Sequence, residues 1–516
     1  MRIVVVGNGM AGARLVAELR GRAPDSEVCV LGAEPHPAYN RILLSNLVAG
    51  KVAEPEVHLT EAAGRGVRVR LGVGAAGIDL GQRCVTTTEG DVEPYDRLVL
   101  ATGSVPAVPP IKGLTLDDGT LPERVAAFRT LDDCRRILAL AGKAASALVL
   151  GGGLLGLEAA RGLATRGLAV TVLHAAGHLM ERQLDPAAAA VLTTTLGRLG
   201  VTVAVDAATI AIRTVAIPTV TDPTVTDPTV FDPTVFDPTV PDATRTGPPG
   251  PDPSEPAHEQ VEAVLADGRR LLADLLVVAC GVRPCTSLAE QAGLGVDRGI
   301  LVDDRMRTTD RHVFAIGDCA QHANVLSGLV GPAWEQARIA ADVLTGTRPL
   351  ARYVPRAPVT RLKATGIDLA AMGAVSEGDG EAVTFADPAR GTYAKLVIRD
   401  ERLAGAIMLG DNPTVGAVIQ LFDRGGRLPA DPRALLLGRA VGTLERAAET
   451  SPALIPDAAV ICQCNTVTKR DLVHCWQAGA RSTSDMVAAT RAGTGCGTCR
   501  DAVDGIAAWL GKEEPA

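Results

Sequence analysis

Short apolar runs, most of them closing on a glycine turn, recur along the chain and set its expected architecture. Residues 3–6 (IVVV), 28–31, 95–101, 147–150, 169–173 and 313–316 have the length and β-branched character of strands buried on both faces. Helical stretches fall between them, at residues 13–19 and 158–165, and again from Trp334 to Leu344. Alternation of this kind predicts an α/β protein built on parallel sheets. Two further runs, 261–265 and 271–280, extend the second unit and lead into Gly281. From 369 the pattern changes. Runs at 369–374, 382–386, 393–399 and 402–409 are separated by Gly, Asp and Pro, which predicts a small antiparallel sheet with helices. Residues 433–448 and 501–510 read as helices.

The first apolar run enters Gly7-Asn8-Gly9-Met10-Ala11-Gly12, and Glu34 follows the second run. Strand, glycine turn, helix, strand and acid together make a dinucleotide-binding fingerprint. Gly7 permits the turn, Gly9 admits a pyrophosphate to the backbone, and Gly12 lets helix and strand approach. Met10 and Ala11 lie in the glycine stretch that leads into the helix, whose free N–H groups suit phosphate. Glu34 would accept from an adenosine ribose, and Arg41 is placed to reach a pyrophosphate or else lies in a solvated loop. Ala101, Thr102 and Gly103 end a strand expected beside the first turn. The fingerprint recurs about 144 residues later as Gly151, Gly153, Leu154, Leu155 and Gly156. Two such folds can hold two dinucleotides face to face, an arrangement suited to hydride exchange between nicotinamide and flavin. His174 stands where the second ribose acid is expected, which leaves NADH or NADPH open with a lean to NADH. Gly317-Asp318 follows the 313–316 run, where an acid can bond cofactor hydroxyls.

Composition narrows the class. At 516 residues several domains are expected. Aromatics at 3% and a formal charge of −8 argue against nucleic acid as a partner. No apolar stretch of membrane-spanning length and no leader sequence are read, so the expectation is a cytoplasmic protein without a membrane partner. No cysteine lies between Cys29 and Cys84, which argues against a flavin-linked disulfide reductase. Residues 213–257 carry a proline-punctuated TVTDP-type repeat and read as a disordered insertion.

Cys462-Gln463-Cys464 and Cys496-Gly497-Thr498-Cys499 are separated by 31 residues. Four soft ligands select zinc or iron–sulfur. The unequal spacing, one residue within the first pair and two within the second, favours iron over structural zinc. Gly493, Gly495 and Gly497 would let backbone N–H groups approach the sulfurs.

On Gly7, Gly9, Gly12, Glu34, Thr102-Gly103, Gly151, Gly153, Gly156 and Gly317-Asp318 the chain resembles the flavoprotein disulfide reductase superfamily, in its branch without an active disulfide. Residues 179–185, 361–368 and 393–411 narrow the likeness. They resemble the bacterial NAD(P)H nitrite reductase large subunits and assimilatory nitrate reductase electron-transfer subunits. The cysteine spacing is similar to that of bacterioferritin-associated ferredoxin-like [2Fe-2S] domains. The resemblance implies FAD on residues 1–115 and 258–350, and NAD(P)H on 116–300 around the insertion. It implies an interface domain over 355–425 with Lys363 near the flavin, a linker over 426–458, and a small helical [2Fe-2S] domain over 459–516. It also implies that NAD(P)H reduces FAD, which feeds the cluster and then a partner. That partner is expected to be a molybdenum nitrate reductase catalytic subunit. A nitrite reductase subunit, or the acceptor of a ferredoxin-reductase-like protein, is the alternative. A redox-regulated binding protein using FAD structurally is a third reading. The full nitrite reductase subunit continues into sirohaem and [4Fe-4S] domains, which this sequence does not contain, so an electron-transfer role is expected.

Overall fold

Two parallel sheets of five strands each carry the two glycine turns. The computed structural model describes residues 1–59, 66–217, 258–355, 357–362, 364–376, 378–412, 414–429, 431–437, 452–462, 467–493 and 499–513. In the first sheet the strand order is Val313–Ala315, Arg97–Leu100, Arg2–Val6, Glu27–Gly32, Val67–Leu71, all parallel. In the second it is Val201–Ala204, Ala169–Leu173, Ser146–Leu150, Leu275–Val278, Val125–Ala127, again all parallel. Each glycine turn thus leaves a central strand.

The helices Met10–Arg22 and Val330–Leu344 cover the first sheet together. Leu15 and Leu19 are fully buried there, each worth about 2 kcal/mol on transfer from water. The longer helix begins at Val330, four residues before the expected start at Trp334. Trp334 therefore lies in the second turn rather than at the helix mouth. It packs with Met10, Ala38 and Leu59, and its indole N–H donates to Met10 O at 3.2 Å.

Three expectations shift. The strand Thr209–Ile217 pairs antiparallel with His258–Leu265, so residues 213–217, assigned above to the insertion, belong to a sheet. The reason is packing: Ile212, Val261 and Ala263 are buried in one core, and the partner strand extends the ladder to Ile217. Residues 218–257 lie outside the described residues. The run 271–280 divides into Arg270–Ala273 and Leu275–Val278 at Asp274. This buried acid accepts from Ala145 N, Ser146 N, Ser146 Oγ and Gln260 Nε2, tying the central strands of two sheets together. Of the helix expected over 433–448, Ala434–Leu437 is described, and 438–451 lies outside the described residues.

All four strands expected after 369 appear, with Val359–Leu362 added, in the antiparallel order Val359–Leu362, Leu369–Gly373, Arg402–Leu409, Thr392–Arg399, Glu381–Asp387. Leu362, Leu369, Ala371, Ile407 and Leu409 of this sheet share one apolar cluster with Leu192 and Leu196 of the second unit. The C-terminal unit packs helices Lys469–Gln477, Thr483–Thr490 and Arg500–Glu513 around Leu472, Met486, Val503 and Ile506. Among the described residues, no helix is long and apolar enough to cross a membrane.

Candidate functional site: two glycine cradles and a cysteine core

The two turns are built alike. Gly7 and Gly151 have φ of +114° and +118°, a region that favours glycine. A Cβ on Gly7 would lie 2.1 Å from Ala101 O, and one on Gly151 2.5 Å from Ala279 O. The neighbouring strand's end thus presses against each turn. A Cβ on Gly12 would meet Gly7 O at 2.1 Å, and one on Gly156 would meet Gly151 O at 1.9 Å. Helix and strand can therefore touch only through glycine. Gly9 and Gly153, by contrast, have open space where a Cβ would stand, as do Gly103 and Gly281 beyond the adjoining strands. Both helices begin here, at Met10-Ala11 and Leu154-Leu155, with the N-cap supplied by Gly9 or Gly153 and no side-chain cap. Free N–H groups thus face an open, backbone-walled cradle, which fits a pyrophosphate.

The first cradle gathers the charged residues expected from the sequence. Glu34 pairs with Arg41 and accepts from Tyr39 OH at 2.6 Å. Burial, and donation to Glu34, push the Tyr39 phenol far above its usual range. Arg41 also donates to Arg129 O at 3.2 Å. Gly317 abuts Ala11, since a Cβ added there would lie 2.9 Å from the Ala11 Cβ. Gly317 N–H donates to buried Gln336 Oε1 at 2.8 Å. Asp318 accepts from Ser104 Oγ at 3.0 Å and from Arg129 Nη2 at 2.5 Å. Thr102 Oγ1 donates to Cys285 O at 2.7 Å. Arg129, Tyr39 and Ser104 escaped the sequence reading. Arg129 precedes a Thr130–Asp133 capping box, a local signal for a helix start that says nothing of an acid 189 positions away.

In the second cradle His174 is buried, and its Nδ1 accepts from Gly152 N at 3.1 Å. Lys363, Cys464 and Cys496 lie outside the described residues. Cys462 and Cys499 are both buried in the core of the C-terminal unit. Two thiols brought from positions 37 apart into one apolar core fit a shared soft-ligand centre.

Residues 1–232 and 252–342 match the family of pyridine nucleotide-disulphide oxidoreductases, well over half of the chain. The chain belongs to that family. Residues 358–419 match the rubredoxin NAD+ reductase C-terminal domain, and residues 460–509, which contain all four paired cysteines, match the BFD-like [2Fe-2S] binding domain. The chain is 33% identical to nitrite reductase [NAD(P)H] of Bacillus subtilis (strain 168), over 98% of its own length and 57% of the relative's. It is 31% identical to the assimilatory nitrate reductase electron transfer subunit of the same organism, over 99% of this chain and 60% of that one. The chain thus spans less than two thirds of these curated relatives. In fold it is similar to the covalent putidaredoxin reductase–putidaredoxin complex, with a TM-score of 0.67 and 24% identity over 84% of this chain and 95% of that one. As a pyridine nucleotide-disulphide oxidoreductase with a BFD-like tail, the protein is an NAD(P)H-dependent flavin oxidoreductase that binds FAD and a [2Fe-2S] cluster.

Proposed function

We propose that this oxidoreductase is an electron-transfer component that passes reducing equivalents from NAD(P)H to a separate catalytic subunit in the cytoplasm. The observation that carries the reading is the joining, in one chain, of two nucleotide cradles and a [2Fe-2S] domain. Bound FAD supplies the exchange between a hydride donor and one-electron acceptors, and the cluster a one-electron station.

The chain's own residues bind and orient. In this reading Gly7, Gly9, Met10, Ala11 and Gly12 receive the FAD pyrophosphate, with Arg41 and Arg129 as balancing cations. Glu34, steadied by Tyr39 and Arg41, takes the ribose, while Ala101, Thr102, Gly103, Gly317 and Asp318 line the rest of the site. Gly151, Gly153, Leu154, Leu155, Gly156 and Gly281 receive NAD(P)H. Cys462, Cys464, Cys496 and Cys499 hold the iron. The third domain, with Lys363, closes over the flavin.

The favoured acceptor is the catalytic subunit of an assimilatory molybdenum nitrate reductase, supported by the 31% identity to an electron transfer subunit over nearly the whole chain. Nitrite reductase is the second reading, supported by the equally extensive likeness to proteins of that name. The test is anaerobic. NADH is mixed with FAD- and iron-loaded protein, and then purified nitrate or nitrite reductase subunits are added with their substrates. Coupled NADH oxidation with one of them is expected. Iron that stays oxidised while the flavin is fully reduced would refute the relay.

A further inference from the structure

In the first cradle an acid, Glu34, stands three residues beyond Leu31, the strand partner of Val6; three residues beyond Leu173, the partner of Leu150, the second cradle has Ala176, and His174 falls where the first has Gly32. A carboxylate nevertheless arrives beside His174 from downstream. Residues 175–184 turn back over the glycine loop, where Met180, at φ +51°, donates its N–H to Gly152 O at 3.1 Å. The Leu179 side chain and the His174 ring close on Gly152 so tightly that an added Cβ would lie 2.5 Å from Leu179 Cδ2 and 2.7 Å from His174 Cγ. Because Gly152 N–H donates to Nδ1, the neutral imidazole carries its proton on Nε2. That Nε2 is buried and makes no aligned hydrogen bond, and it stands 3.2 Å from Glu181 Oε2. The Glu181 side chain is 43% exposed, so the carboxylate remains open to a ligand in the cradle.

We propose that Glu181 is the specificity-determining acid of the second cradle, accepting from the adenosine ribose 2′-hydroxyl of NADH and repelling the 2′-phosphate of NADPH. The inference rests on reading this cradle as the NAD(P)H site. Glu181 lies five positions beyond Ala176 in sequence and returns in space beside His174, two residues before that position. A carboxylate near a dianionic phosphate is repulsive, whereas it pairs well with a hydroxyl donor. A site read instead by the neighbouring, exposed Arg182 would favour the phosphate.

The test is calorimetric titration of the FAD- and iron-loaded full chain with ADP-ribose and with 2′-phospho-ADP-ribose. With the flavin site filled, the second cradle is the one titrated. The wild type is expected to bind ADP-ribose at least about tenfold more tightly. Glu181→Gln is expected to bring the two affinities to within about threefold, and Glu181→Arg to invert their order. Equal affinities in the wild type, tighter binding of the phosphorylated ligand, or a ratio unmoved by Glu181→Gln would overturn the assignment while leaving the nucleotide site standing. Failure of both ligands to bind would overturn the site itself.

Discussion

Replacing Lys395 with Met tests what holds the third domain on the second. Lys395 lies on the Thr392–Arg399 strand with its side chain 9% exposed. Its Nζ donates to Asp185 Oδ2 at 2.9 Å and to Val375 O at 2.9 Å. Asp185 caps the helix Pro186–Arg198 of the second unit through Ala188 N, and also accepts from Tyr393 OH at 2.8 Å. One carboxylate therefore joins a helix start in one domain to two side chains in another. Methionine keeps the stem's packing and removes the charge. Losing one partner of a buried pair costs about 3–5 kcal/mol, and because Asp185 keeps two donors the lower end, about 3 kcal/mol, is expected. A 516-residue multidomain chain does not unfold in one step, so the readout is local amide hydrogen exchange rather than a melting temperature. Amides of residues 392–399 and of the first turn after Asp185 should exchange about a hundredfold faster, at tenfold per ~1.4 kcal/mol. Adding Asp185→Asn should cost less than the sum of the two single changes, because the partners couple.

The pH dependence gives a second readout of the same contact. Burial alone would raise the Asp185 pKa, but donation from Ala188 N–H, Lys395 and Tyr393 outweighs it and holds the carboxyl below its usual value. A depressed carboxylate pKa stabilises the fold above the unfolded value, near pH ~4, and that contribution fades as pH falls through the lower folded value. The extra protection should thus be full at neutral pH, lost only below about pH 4, and smaller in Lys395→Met, where Asp185 keeps the Ala188 and Tyr393 donors. Unchanged exchange in Lys395→Met, or strictly additive single and double variants, would refute the role given to this pair.

Four further outcomes follow from the geometry. Gly9→Ala meets open space, so it should leave local stability within about 1 kcal/mol yet lower FAD retention, whereas Gly12→Ala, 2.1 Å from a backbone oxygen, should destabilise its helix and strand by about 1–3 kcal/mol, read by amide hydrogen exchange there and by flavin content. Arg129→Met leaves Asp318 without its 2.5 Å partner and should weaken FAD binding by about tenfold in an apoprotein titration. Cys499→Ser should yield protein lacking stoichiometric iron by metal analysis, and a wild-type tail carrying zinc would refute the iron assignment. Surrounding protein desolvates the Cys280 thiol and pushes it up to about 11 even though the residue is exposed at the surface, so it should alkylate slowly at pH 8, and Cys280→Ser should leave dye reduction by NADH unchanged.

How much of this the sequence disclosed follows from the range of the forces involved. The glycine turns, their strands and the 369–409 sheet were legible because each depends on neighbours within about ten residues, through turn geometry and burial period. The exact repetition of strand support under each turn was only half legible. Ala101-Thr102-Gly103 and Ala279-Cys280-Gly281 share spacing after their strands, yet parallel pairing across roughly a hundred residues leaves no local signature. The misplaced start of the Trp334 helix has a similar cause. Gly331 and Pro332 fall in the first turn, where Pro is compatible with a helix and a Cβ on Gly331 would meet no neighbour.

Charge partners were the least legible feature, and they decide the site. Glu34 with Arg41 is a pair seven residues apart, close enough for the residues to be singled out together. Arg129 with Asp318 spans 189 positions and joins the residues between the strand Val125–Ala127 and the helix Leu131–Ala141 of one unit to the turn that follows the strand Val313–Ala315 of the other. A salt bridge has no sequence period, so only the fold can reveal which cation faces which acid. The same holds for His174 and Glu181. Read along the chain, the second fingerprint has Ala176 where the first has its acid; read in space, a loop turned by Met180 brings Glu181 to within 3.2 Å of His174, two residues away. A fingerprint defined by linear spacing therefore records where the backbone must be, while the chemistry it serves depends on which side chain fills the space. That distinction is why the glycines could be assigned by position and the choice between NADH and NADPH could not.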